Sequence, residues 1–199
     1  MELQRALSDL AEVRERLAHI QRFEGYSAPA AAASGALAIA AGFVQMALAP
    51  NPASERELRL YLSIWLACLV AALLLNYGAV GFWLLKHRGP GEQSRFRTAA
   101  LSIAPSVALG GILTVALVDH SAYAMLPGAW FAFYAIGLFA SYGVIPSSAI
   151  GVTFGFSLLA VLFLVTPLER YALNWWVMPL GFGFGQIAIG LLLWRSRQA

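Results

Sequence analysis

Six stretches of this chain contain no Asp, Glu, Lys or Arg: residues 29–48, 60–85, 99–118, 123–142, 144–165 and 173–194. Each is close to or above the ~20 apolar residues that a helix needs to cross a bilayer. Within hydrocarbon every backbone polar group must be satisfied by the segment itself, and runs this long, with frequent Gly and Ala and no two-residue alternation, suit helices and not barrel strands. The pattern predicts an all-α membrane protein: a transmembrane bundle of six helices over 28–195, a lead-in at 1–27 and a short tail at 196–199.

Between the fourth and fifth runs the link is short and uncharged, from Gly143 to Ser148, with Pro146 placed for the first turn of a new helix. A tight turn at the membrane face is the expectation; the alternative is a re-entrant pair that stops short of crossing. The small residues Ala47-Leu48-Ala49 resemble a signal-cleavage site. The segment before them is long and rich in both acids and bases, so an uncleaved first helix is predicted.

Before the first run, Leu3, Leu7, Leu10, Val13, Leu17 and Ile20 return every three or four positions, the spacing of one helix face. This predicts a cytoplasmic amphipathic helix with Glu12 and Arg16 one turn apart. Its apolar stripe can cover the bundle's own end or dock a protein partner, for which Leu3, Leu7, Leu10 and Leu17 are the contact candidates.

Composition agrees with the pattern, since 60% of residues are hydrophobic and 12% charged, against roughly 25% charged in soluble domains. The net charge of +3 is too dispersed for a nucleic-acid groove, so no nucleic-acid partner is expected. It reports topology instead. Of 13 Lys and Arg, only Arg56, Arg59 and Arg170 fall on the outer side if the N-terminus lies inside, which places both termini in the cytoplasm and the bundle in the cell membrane. Trp65, Trp175, Trp176 and Trp194 lie near the ends of even-numbered runs, as headgroup anchors do, with Tyr61, Tyr123 and Tyr171 assisting.

Those even-numbered runs also share a pattern: Ala79-Val80-Gly81-Phe82, Ala135-Ile136-Gly137-Leu138 and Ala188-Ile189-Gly190-Leu191. Upstream, Met125, Gly128 and Phe131 match Met178, Gly181 and Phe184 at one offset. Three repeated helical hairpins would have this signature, with a symmetry axis along the membrane normal. Small residues four apart mark faces for close helix packing: Ser34, Ala38 and Gly42; Ser102, Ser106, Gly110 and Thr114; Gly151 and Gly155; Gly181 and Gly185. They predict contacts inside the bundle, with a homo-oligomer contact as the alternative.

Chemistry is sparse. Intramembrane charges would point to an ion or proton path, and the runs hold none. The polar candidates are Gln45, Asn76, Tyr77, Thr114, Tyr134, Ser141, Tyr142 and Gln186, of which Asn76, Tyr77, Tyr134 and Gln186 are the substrate-binding candidates; interhelical hydrogen bonding is the competing use of all eight. Pro105 and Pro179 free the carbonyls of Leu101 and Trp175 and predict kinks. Cys68 stands alone, so no disulfide or cysteine metal cluster forms within the chain. Asp119, His120 and Glu169 could share the outer face, but a helix-end histidine needs no catalytic explanation. Residues 86–97 read as a basic turn with no phosphate-loop pattern.

The expectation is therefore no enzyme, no cofactor and no metal. Two functions fit: a non-catalytic accessory or regulatory bundle working through a membrane or cytoplasmic partner, and a small carrier or channel for neutral or weakly polar solutes.

Overall fold

The computed structural model describes residues 27–86, 90–142, 147–196 and 198. The amphipathic segment, with Leu3, Leu7, Leu10 and Leu17, lies outside them. Among the described residues the regular structure is all helical, with no strand.

Helix α1 (Ala28–Leu48) starts at Ser27, whose hydroxyl accepts from the Ala30 amide at 3.3 Å, and Pro29 occupies its first turn. Helix α2 (Glu55–Lys86) starts at a capping box: Ser54 Oγ accepts from the Glu57 amide at 3.3 Å, and Glu57 Oε2 accepts from the Ser54 amide at 3.0 Å. Helix α3 (Pro90–Asp119) has Pro105 within it. A 3₁₀ turn (Tyr123–Met125) leads into α4 (Leu126–Ala140), and another (Ser147–Ala149) into α5 (Ile150–Val165). A π-helical turn (Pro179–Gly183) precedes α6 (Phe184–Arg195).

Successive helices alternate in direction. Ser34 of α1 bonds Asn76 of α2, and Gln45, further along α1, bonds the earlier Trp65. Gly137 of α4 lies against Ser106 of α3, and Trp130 bonds Thr114. Gly128 opens α4 against Leu164 near the end of α5, whereas Phe139 near the end of α4 meets Phe154. Helix α6 returns antiparallel along α1, with Gly190 beside Ala28, Gly35 beside Gly183 and Ile187, and Gly42 beside Pro179. The end of the bundle holding Ser27, Lys86 and Arg195 is called basal here, and the end holding the 49–54, 120–125 and 166–176 connections distal.

The core is aromatic. Phe131 is fully buried and its ring lies 5.3 Å from Phe182, 6.0 Å from Phe156 and 6.2 Å from Phe163. The outward faces are as apolar as the core: Phe43, Leu74, Ile112, Ile136, Leu158 and Leu191, one from each helix, are exposed. An apolar surface that runs right around a bundle is foreign to water-soluble monomers. Four helices, Ala28–Leu48, Glu55–Trp83, Ala100–Asp119 and Tyr123–Ala140, are long and apolar enough to cross a membrane, and Ile150–Val165 is a shorter apolar helix.

Several sequence expectations are corrected. Within the 86–97 stretch expected as a turn, residues 90–97 are helical: Pro90 takes the first helical position, where its missing N–H costs nothing, and the helix runs on from there. The sixth run does not begin as a helix. Its first residues form a turn in which the Leu173 carbonyl accepts from Gln45 and the Trp175 amide donates to the Pro50 carbonyl at 3.1 Å. Trp65 and Tyr61 are not headgroup anchors but core residues at 4% and 0% exposure, because Gln45 and Trp130 hold their rings inward. Among the described residues nothing lies within 4 Å of a Cβ added at Gly151 or Gly155, so these two mark no contact there. The repeat's paired positions differ in surroundings: Phe131 is fully buried, while Phe184 is 61% exposed.

Among the described residues the buried Tyr61 hydroxyl has no hydrogen-bond partner, although its ring stacks on Trp130 at 6.2 Å and 3°. An unmet buried hydroxyl opposes folding, whereas the ring favours it. Tyr61→Phe is therefore expected to leave thermal stability unchanged or raise it by about 1 kcal/mol; a clear fall in melting temperature would show that the hydroxyl has a partner.

Candidate functional site

Helix α2 packs on α1 and α3 packs on α4, but among the described residues α2 and α3 scarcely touch each other. The gap opens into a cavity of about 280 Å³, backed by α1, α4 and α6, at the lower edge of the ~300–1,000 Å³ typical of small-molecule sites. Leu66, Leu69 and Tyr77 of α2 and Gly111 of α3 line it while remaining exposed, so its mouth lies between those two helices. Most of the wall is apolar, and among the described residues no acid, base or histidine contributes to it.

All four substrate-binding candidates, Asn76, Tyr77, Tyr134 and Gln186, are on this wall. They arrive from three helices. Asn76 Nδ2 donates to Ser34 Oγ at 2.6 Å and to the Ala72 carbonyl at 2.9 Å, using both of its hydrogens. Its Oδ1 has no partner among the described residues. Gln186 Nε2 donates to the Tyr134 hydroxyl, and Gln186 Oε1 likewise has no partner among the described residues. The Tyr134 ring is fixed by edge contacts with Phe156 at 4.7 Å and Phe182 at 5.2 Å.

Toward the distal end the cavity is closed by indoles. Trp65 Nε1 donates to Gln45 Oε1 at 2.8 Å, and Trp130 Nε1 donates to Thr114 Oγ1 at 2.8 Å. Thr114 in turn donates to the Gly110 carbonyl at 2.7 Å. Both indoles line the cavity and both N–H groups are satisfied, so this part of the wall offers apolar surface only.

The other polar candidates serve the scaffold. Gln45 is fully buried and ties α1 to Trp65 and to the Leu173 carbonyl at 2.7 Å. Ser141 donates to its own helix at the Gly137 carbonyl, and Tyr142 is exposed at the basal end. His120 Nδ1 lies 2.8 Å from the Ala116 carbonyl, a helix-end contact. Among the described residues no three His, Cys, Asp or Glu side chains are grouped to hold a metal ion.

Sequence reasoning missed Ser34 and Ser106 as cavity residues, treating them only as small packing residues. Ser106 is buried and lines the wall, and its hydroxyl has no partner among the described residues. Its row with Gly110 and Thr114 was the available signal, since all three face the same gap. Cys68 also lines the cavity, half-buried. No family model, curated protein or solved structure matches the chain.

Proposed function

We propose that this chain is a multipass integral membrane protein that crosses the bilayer six times, with both ends cytoplasmic, and binds a neutral, weakly polar molecule in the cavity between α2 and α3 without transforming it. The alternating helix directions and the apolar outward faces support six crossings, and Lys86, Arg97 and Arg195 at the basal end support a cytoplasmic base. The observation that carries the binding role is the convergence of Asn76, Ser106, Tyr134 and Gln186 on one largely apolar cavity. A carrier of neutral solutes is the activity this site suits best, since a path without charges imposes no barrier of ion pairing.

Cys68 supplies a direct test. In vesicles containing the protein, a membrane-permeant maleimide should alkylate Cys68, and small neutral diols or amides that occupy the cavity should slow that reaction at least threefold. Free alkylation that no neutral compound slows would overturn the binding role.

An accessory or regulatory role is the second reading. The observation favouring it is the exposed α5 face at Gly151 and Gly155, where the absence of any neighbour leaves room for a helix of a second protein to approach closely.

A further inference from the structure

Resting on the reading of the cavity as a neutral-ligand site, we infer that its occupant is a lipid with a small uncharged hydroxyl headgroup, of the acylglycerol or long-chain alcohol class, admitted sideways from the bilayer between α2 and α3. The headgroup chemistry follows from what the wall leaves unmet. Asn76 Oδ1 and Gln186 Oε1 are acceptors in need of a donor, and the Ser106 hydroxyl can donate or accept. A hydroxyl group meets both needs. Among the described lining residues no charge stands to receive an ionised headgroup, so its desolvation on entering this wall would go uncompensated by them.

The arrangement along the helices gives the lipid a direction. The unmet polar atoms lie in the basal half: Gln186 is nine residues before Arg195, the last residue of α6, or roughly 14 Å of helix rise. Distal to them the wall is Leu69, Val107, Gly110 and the Trp65 and Trp130 indoles, a surface for hydrocarbon. A lipid of the basal leaflet has the same polarity, headgroup toward the base and chain toward the bilayer centre. The mouth is flanked by Leu66, Leu69 and Gly111, so the lower chain can remain in the bilayer while the head is held.

Photolabelling of the full chain in phosphatidylcholine vesicles tests this, with a monoacylglycerol bearing a diazirine near its carboxyl end and a lysophosphatidic acid bearing the same chain. The monoacylglycerol should label peptides of α2, α3 and α6, with the phosphate analogue labelling at least tenfold less. Asn76→Leu with Gln186→Leu should lower monoacylglycerol labelling about tenfold, the factor expected for losing one to two hydrogen bonds. Gly111→Trp, at a mouth position where an added Cβ meets no atom within 4 Å, should abolish labelling while leaving the melting temperature in place.

Equal labelling by the phosphate analogue would overturn the neutral-lipid assignment. So would labelling unaffected by Gly111→Trp. Absence of monoacylglycerol labelling, with small diols still protecting Cys68, would overturn the lipid and leave the cavity's binding role standing. Failure of both probes would remove both.

Discussion

Gly35→Leu is expected to prevent assembly of the bundle, giving no monodisperse species in mild detergent. A Cβ added at Gly35 would stand 2.6 Å from the Gly183 carbonyl oxygen and 2.9 Å from the Ile187 amide nitrogen. Both are backbone atoms of the last helical segment and cannot rotate away. Relief requires α1 and α6 to separate, and the same interface includes Gly42, whose Cβ would meet the Pro179 ring, and Gly190, whose Cβ would meet the Ala28 carbonyl at 3.0 Å. Overpacking costs typically about 1–3 kcal/mol where neighbours can adjust; here the whole face must open, and a loss of at least about 3 kcal/mol is expected. Gly151→Leu is the control. Nothing lies within 4 Å of its added Cβ, and its melting temperature should match the parent. A Gly35→Leu protein that purifies and melts like the parent would show that α1 and α6 do not approach this closely.

Gln45→Leu should be the most damaging polar substitution. Gln45 is fully buried, and its amide closes three contacts: it accepts from Trp65 Nε1 and donates to the Leu173 and Ala49 carbonyls. Leucine would leave the buried indole N–H and the Leu173 carbonyl without these partners. Single interhelical hydrogen bonds in membranes are worth about 0.6 kcal/mol on average and up to about 1.7, so losing this junction should cost about 2 kcal/mol. Trp65→Phe removes one of the bonds and should cost about half as much. If the double variant Gln45→Leu, Trp65→Phe were as unstable as the two single losses added together, the two side chains would not be coupled.

Six apolar helices were legible because charge-free runs long enough to cross a bilayer read as helices, but their bounds were not: the third begins at Pro90 and the sixth at Phe184. The partners of each side chain were not legible. Ser34 and Asn76 are 42 residues apart, and Gln45 and Trp65 are 20 apart; which atoms meet depends on the rotation and depth of each helix, and neither is encoded in a charge-free run. Trp65 shows the difficulty. An indole near the end of an apolar run is the composition of a headgroup anchor, and only the amide of Gln45 turns it inward. The glycine rows show the same limit, since spacing by four defines a face without saying what lies opposite. At Ser34, Ala38 and Gly42 that face is buried, whereas at Gly151 and Gly155 it is bare.

The cavity was half legible. Asn76 and Gln186 stood out as amides in charge-free runs, and the structure sets both on one wall together with Tyr77 and Tyr134. The gap that makes the wall a site comes from the failure of α2 and α3 to pack on each other. Consecutive helices joined by a short link would ordinarily be expected to pair, so nothing in the sequence announced it.

The π turn at Pro179–Gly183 changes how the last helix must be compared with any other. Such a turn takes an extra residue before its hydrogen bond closes, so every side chain after it is rotated by about 100° from where an uninterrupted α-helix would set it. Beyond the turn it is Gly185, not Phe184, that meets the core ring of Phe156, and Ile189 that joins the cluster containing Ala135. A ruler laid along the sequence at a fixed offset therefore pairs residues on different faces, and any ancestral kinship between the fourth and sixth helices would have to be sought with one residue left over.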